Sequence, residues 1–358
     1  MGVGTVDTVM QTTQNDIFLR ACRRQAVPRT PLWFMRQAGR YLPEYRAVRS
    51  QHDFLTMVRT PELAARVTVQ PVEILGVDAA ILFSDIMVVP EAMGMILHMV
   101  EGKGPVLPEP IRTRAHVEAL PHPDPESALG YVMGAIRQTR GALDGRVPLI
   151  GFSGAPWTLA AYMVEGHGSK TFRRAKAMVY GEAALAHALL GRVADAVGDY
   201  LLAQAAAGAQ ALQIFDTWGG LLPAPEFAEF SLAYIARVVS RLREANVPVI
   251  VFCKDCAHSL EAIADTGCDV IGIDWGTDLA EARRRVGARC ALQGNLDPAV
   301  LFAPPEVAAR HSVDVLERFG RGEGHIFNLG HGILPETPVA SVRAMIAAVA
   351  DESPRYHD

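Results

Sequence analysis

A chain of 358 residues, half of them hydrophobic, holds enough material for one large α/β barrel or two medium domains around a sizeable core. Its formal net charge of -5 is spread evenly, which argues against nucleic acid or an anionic membrane surface as the main partner, since both call for a basic stripe. Any anion that binds must therefore be met by a local basic pocket.

In chain order, residues 1–14 are expected to form a disordered tail, followed by a short helix over 15–24 with Asn15 or Asp16 as its cap. Eight β-rich runs come next: Leu32 to Met35, Ala79 to Phe83, Val147 to Phe152, Ala211 to Phe215, Val247 to Phe252, Val270 to Ile273, Ala291 to Gln293 and His325 to Asn328. Helical stretches alternate with them at 61–75, 125–143, 170–207, 225–244, 259–265, 279–286, 305–319 and 337–350. Several open with Pro or a small polar residue, as helix starts do. The segment from Gly102 to Pro110, rich in Gly and Pro, reads as an insertion after the second strand.

Strands that are apolar throughout and alternate with helices belong to a parallel sheet covered on its outer face, and eight of them predict a single (β/α)8 TIM-type barrel over 1–358. A doubly wound open sheet is the alternative, but no Gly-x-Gly-x-x-Gly follows the first strand, and Gly166-His-Gly-Ser-Lys170 lacks Walker A spacing. The five cysteines (Cys22, Cys253, Cys256, Cys268, Cys290) are odd in number and sparse, which fits a reducing cytosol better than a disulfide framework. No secretory leader opens the chain and no apolar run reaches about 18 residues, so the expectation is a soluble cytoplasmic protein.

In such a barrel the site lies at the carboxyl ends of the strands. The residues there are Arg36 and Arg40, Ser84 and Asp85, Ser153 with the run through Tyr162, Asp216 to Trp218, Lys254 and Asp255, Asp274 and Trp275, Asn295 and Asp297, and Asn328 and His331. Arg36 and Arg40, on a turn with Gly39, have the bidentate geometry of a clamp for an acid. Pairing with the chain's own acids on a surface loop is the competing reading. Asp85 after Ala-Ile-Leu-Phe-Ser is a catalytic candidate or the cap of the next helix.

Two stretches go further: Pro31 to Arg46 (PLWFMRQAGRYLPEYR) and Gly151 to Gly166 (GFSGAPWTLAAYMVEG). Together with Phe83-Ser-Asp-Ile, Gln293-Gly-Asn-Leu-Asp-Pro298 and Asn328-Leu-Gly-His-Gly332, they closely resemble the uroporphyrinogen decarboxylase family along nearly the whole chain. The resemblance implies a homodimeric barrel that removes CO2 from the four acetate arms of uroporphyrinogen III to give coproporphyrinogen III, without metal or prosthetic group. It implies Asp85, Arg36 and Tyr162 as catalytic residues. Substrate contacts would come from Arg36, Gln37, Ala38, Gly39, Arg40, Asp85, Tyr162, Thr217 and His331. Thr217 stands where many relatives carry serine; the hydroxyl survives and a methyl is added. Two rivals remain: a zinc-dependent corrinoid methyltransferase, for which Cys253-Lys-Asp-Cys256 supplies only a Cys-x-x-Cys, and a tetrapyrrole-binding protein without turnover.

Overall fold

The computed structural model describes residues 13–357. Nine strands form among the described residues: β1 (Ala80–Ile81), β2 (His98–Val100), β3 (Gly104–Val106), β4 (Leu149–Gly154), β5 (Ala211–Asp216), β6 (Val249–Cys253), β7 (Val270–Gly272), β8 (Ala291–Gln293) and β9 (His325–Ile326). Seven make one parallel sheet in the order β1-β4-β5-β6-β7-β8-β9, and β2 pairs antiparallel with β3 as a separate hairpin. Helices connect the sheet strands, as parallel pairing requires.

Side chains alternate along the strands between two cores. In β6, Ile250 and Phe252 enter one cluster with Trp33, Ile150, Phe215 and Ile326, while Val249 and Val251 enter the other, beneath the helices. Both faces are thus buried, which explains strands that read as continuous apolar runs. A polar chain crosses the inner cluster: Trp33 Nε1 donates to Gln293 Oε1 at 2.9 Å, and Gln293 Nε2 donates to Gln213 Oε1 at 3.3 Å. The helix Ile17–Cys22 plugs one end, its Phe18 edge-on to Trp33 at 6.5 Å.

The expected first strand, Leu32 to Met35, is reduced to a single parallel bridge between Leu32 and Phe327. Trp33 N donates to Phe327 O, Phe327 N donates to Pro31 O, and on the opposite side Asp78 N donates to Leu32 O at 2.8 Å. The reason is local. Pro31 has no N–H, Arg36 adopts φ +64°, and the buried Asp78 carboxylate takes over pairing by accepting from Leu32 N (2.8 Å), Asn15 Nδ2 (2.8 Å) and both terminal nitrogens of Arg29 (2.8 and 2.6 Å).

The helices 61–75, 279–286 and 305–319 form with the expected bounds, while others break. The stretch 125–143 divides after Ala128, 170–207 divides at Glu182, and 225–244 carries a π turn at Ala228–Leu232. Helices at Pro43–Arg49, Phe54–Arg59, Val88–Ala92, Arg114–Ala119 and Pro156–Glu165 also form, outside the stretches expected from the sequence. The insertion is the β2–β3 hairpin, clipped down by an antiparallel bridge from Val106 to His167 and by Leu107 N donating to Gly166 O at 2.7 Å. Of the expected tail, residues 1–12 lie outside the described residues. Gln14 N donates to Gly145 O, and Thr13 Oγ1 accepts from Gln210 Nε2.

Candidate active site

The turn after Leu32 brings Arg36 and Arg40 to the carboxyl ends of the strands. Gln37 is fully buried: its side chain accepts from Phe34 N and donates to Ala79 O at 2.9 Å, while its carbonyl accepts from the Tyr41 hydroxyl at 2.8 Å. It builds the turn from inside and leaves no group free for a ligand. A Cβ at Gly39 would meet the Arg36 carbonyl at 2.6 Å, so only glycine lets the turn close, and Ala38 beside it is half-buried. Arg36 and Arg40 are both exposed. Water reaches Arg36, yet the protein crowding around its guanidinium lowers its pKa, chiefly by desolvation, with Asp85 and Tyr162 opposing and Arg40 adding to the fall. That combination marks a concave position.

Asp85 follows β1 and is partly exposed. One carboxylate oxygen accepts from Met87 N at 2.7 Å, an Asx turn ahead of the helix Val88–Ala92; the cap position of that helix is Met87 and no side chain caps it, so Asp85 is not its cap. Desolvation raises the pKa of Asp85, while the Met87 hydrogen bond and the Arg36 charge hold it down.

Tyr162 projects from the helix Pro156–Glu165, its ring packed against Phe172 at 5.3 Å and Trp218 at 6.3 Å. Burial raises its pKa; the indole of Trp218 and the charge of Arg36 pull it down, and Asp85 pushes it up. The wall holding Trp218 is fixed by Asp216, which is fully buried. Asp216 accepts from Thr158 Oγ1 at 2.6 Å and from Ser231 Oγ, on the π turn, at 2.5 Å, and Thr158 Oγ1 in turn accepts from Trp218 N at 3.2 Å. Desolvation pushes the Asp216 carboxyl up to about 6. Thr217, next along, faces a neighbouring cavity of about 500 Å3 shared with Trp218 and Lys254.

His331 sits between Phe252 and Trp275, at ring distances of 5.9 and 6.4 Å. Its pKa falls to about 4, through burial first and then the charges of Arg36 and Lys254, so the ring is neutral near pH 7. A Cβ at Gly332 would meet Arg36 Cδ at 2.6 Å, which places the Arg36 stem directly on the turn that carries His331.

Arg36, Arg40, Asp85, Tyr162 and His331 thus fall within one electrostatic neighbourhood, and Thr217 borders it. Other strand-end polar residues are committed elsewhere. Asn295 Nδ2 donates to the carbonyls of Asp274 and Thr277, Asp297 accepts from Ala299 N, and Asn328 Oδ1 accepts from Met35 N. Asp274 accepts from Asp255 N and Thr277 Oγ1, and Lys254 pairs with Asp255. Trp218 and Asp216 are the residues sequence reasoning placed at the mouth without giving them a task; the run of Thr158, Asp216 and Ser231 could not be read before the chain was folded.

No three His, Cys, Asp or Glu side chains among the described residues are grouped to hold a metal ion. Cys253 and Cys256 are buried, and burial raises both thiols well above their usual range, which keeps them protonated. No helix among the described residues is long and apolar enough to cross a membrane.

Comparison with known proteins adds three findings. Residues 13–352 match the family model described as uroporphyrinogen decarboxylase. A uroporphyrinogen decarboxylase from Chlorobium limicola is 53% identical over 349 residues, 96% of this chain and 99% of that protein; one from Alkalilimnicola ehrlichii is 55% identical over 354 residues, 98% and 97%. Among solved structures, a methyltransferase from Methanosarcina mazei superposes with a TM-score of 0.79 at 23% identity, covering 95% of this chain and 99% of that one, which is a likeness of fold.

Proposed function

The chain belongs to the uroporphyrinogen decarboxylase family and is a decarboxylase of tetrapyrrole biosynthesis, and we propose how its residues divide the work. The substrate is uroporphyrinogen III, whose four acetate arms become methyl groups to give coproporphyrinogen III. The chain acts as one domain, in the cytoplasm, as a homodimer. Its Leu32 segment serves as the eighth stave of a (β/α)8 barrel, a reading supported by the hydrogen bonds that tie it to Phe327 on one side and Asp78 on the other.

Loss of CO2 leaves an electron pair that needs a sink. A pyrrole protonated at a ring carbon supplies one: the C–CO2 bond breaks, its electrons flow into the ring, and the exocyclic methylene left behind takes a proton to become methyl while the ring carbon gives its proton up. Each arm consumes one proton and releases one CO2. Because the sink is the substrate, the residues have to stabilise a cation on the ring rather than deliver a cofactor.

Asp85 does this by accepting hydrogen bonds from pyrrole N–H groups through the carboxylate oxygen that Met87 does not occupy, an anion preorganised against the cation that forms. Arg36 and Arg40 hold carboxylate arms at the mouth, Tyr162 and Thr217 face the reacting arm, and neutral His331 exchanges a hydrogen bond with the macrocycle rim. Gln37, Ala38 and Gly39 act by shaping the arginine turn. Arg36 can also pass on a proton, a task made easier by its lowered pKa.

One observation carries these roles: the Arg36 stem lies directly on the Gly332 turn that carries His331, and from there its guanidinium charge reaches the Asp85 carboxylate at the end of another strand. The test is an anaerobic assay with uroporphyrinogen, following stepwise loss of carboxyl groups by chromatography. Tight binding without loss of carboxyl groups would favour a carrier and end the catalytic reading.

A further inference from the structure

Lysine is scarce in this chain: only four of its 34 basic residues, at positions 103, 170, 176 and 254. Three of them meet in one place and the fourth borders it. Lys103, Lys170 and Lys254 line the cavity of about 500 Å3 that also holds Thr217, and Lys176 Nζ donates at 2.7 Å to the carbonyl of Leu221, which is part of the same wall. They arrive from separate segments. Lys103 is in the turn of the β2–β3 hairpin, Lys170 follows the strap to which that hairpin is clipped, and Lys254 directly follows β6.

Lys103 and Lys170 are exposed, and neither has an acid partner among the described residues. Lys254 pairs with Asp255, which also lines the cavity, and lies 5.2 Å from the centre of the Trp275 ring, so the free charges of the cavity are those of Lys103 and Lys170. Thr217 and Trp218 join this cavity to the candidate active site, Trp218 being the ring against which Tyr162 packs. In a chain of net charge -5, a substrate with many carboxylates is repelled at long range, and the two unpaired ammoniums of Lys103 and Lys170 oppose that field at the mouth.

Resting on the decarboxylase reading, we propose that this lysine cavity is a second carboxylate subsite, holding arms of the tetrapyrrole remote from Asp85 and setting the preference for substrates rich in carboxylates. The choice of residue fits the task. Guanidinium forks such as Arg36 and Arg40 fix one planar geometry, whereas an ammonium on a flexible stem accepts a carboxylate from many directions. The macrocycle must be presented again for each acetate, so the arms that reach this cavity differ from step to step.

The test compares the parent with the Lys103→Gln/Lys170→Gln double variant in anaerobic turnover of uroporphyrinogen at several salt concentrations. The variant is expected to raise KM about tenfold, leave saturated kcat within about twofold, and flatten the salt dependence of kcat/KM. The effect should be largest for the octacarboxylate and smallest at the last decarboxylation. Lys103→Arg/Lys170→Arg is expected to regain the parent KM. An unchanged KM and salt dependence in the Gln variant would overturn the subsite, as would failure of the Arg pair to restore it. A parent without turnover would end the decarboxylase reading instead. Fluorescence binding of uroporphyrin then decides the subsite by itself, with weaker binding by the Gln variant supporting it and equal binding overturning it.

Discussion

Gly332 lies under the side chain of Arg36 so closely that a methyl group there would meet Arg36 Cδ at 2.6 Å. The turn after the last strand is therefore the platform for the arginine of the Leu32 segment. Gly332→Ala is expected to push the guanidinium aside and lower kcat/KM roughly 100-fold, the scale of a misplacement of about 1 Å, with little change in thermal stability. Steady-state kinetics beside a melting curve check this. Unchanged kcat/KM would show that Arg36 tolerates the shift.

Asp85→Asn should lower kcat by at least about 100-fold, while Asp85→Glu, which keeps the charge on a longer stem, should cost roughly tenfold. Loss of charge with nearly constant shape isolates the electrostatic part of the role. An Asn variant with parent kcat would remove Asp85 from the reaction.

The charge of Arg36 helps hold the Asp85 carboxyl down against desolvation. Arg36→Ala should consequently let the Asp85 pKa rise and move the acid limb of the kcat/KM pH profile to higher pH, whereas Arg36→Lys should leave that limb near its parent position. If Arg36→Lys keeps full turnover and Arg36→Ala loses affinity alone, Arg36 is a clamp and not a proton donor.

His331 has a folded pKa of about 4 against an ordinary value of 6.5, so the unfolded chain takes up a proton that the folded one refuses. Its contribution to stability is full above pH 6.5 and is lost as the pH falls toward 4. Denaturation midpoints measured across that window should fall more steeply for the parent than for His331→Asn. NMR of the imidazole at pH 6 should report a neutral ring, and a protonated one there would refute the depressed pKa.

Asp78, buried and bonded to Leu32 N, Asn15 and Arg29, replaces a stretch of strand pairing. Asp78→Ala removes one partner of a mostly buried ion pair and is expected to destabilise the fold by about 3 kcal/mol. Urea unfolding checks the figure, and a loss below about 0.5 kcal/mol would show that the segment is held by packing alone.

Much of this was readable before folding, for identifiable reasons. The strand at Ala211 and the helices at 61–75 and 305–319 announce themselves by apolar runs and by Pro or Gly at their ends, which are local signals. Asp85 and His331 followed from the rule that sites occupy strand ends. Gln37 entered the set of contacts through the resemblance alone, and only the position of Ala79 O shows that its side chain is turned inward. Asp78 gave no warning, since its partners lie far away in sequence. The lysine cavity was hidden because Lys103 sat in what read as an insertion and Lys170 in a motif set aside for its spacing.

The first candidate catalytic group and its support stand at opposite ends of the polypeptide: Leu32 is braced by Phe327, and Arg36 rests on Gly332. During synthesis the arginine leaves the ribosome early and waits for nearly the entire remaining chain before it has anywhere to rest. A nascent fragment ending before Phe327 would keep almost every residue of the site and still leave Arg36 unsupported, so competence arrives with the last strand and its turn rather than growing by degrees.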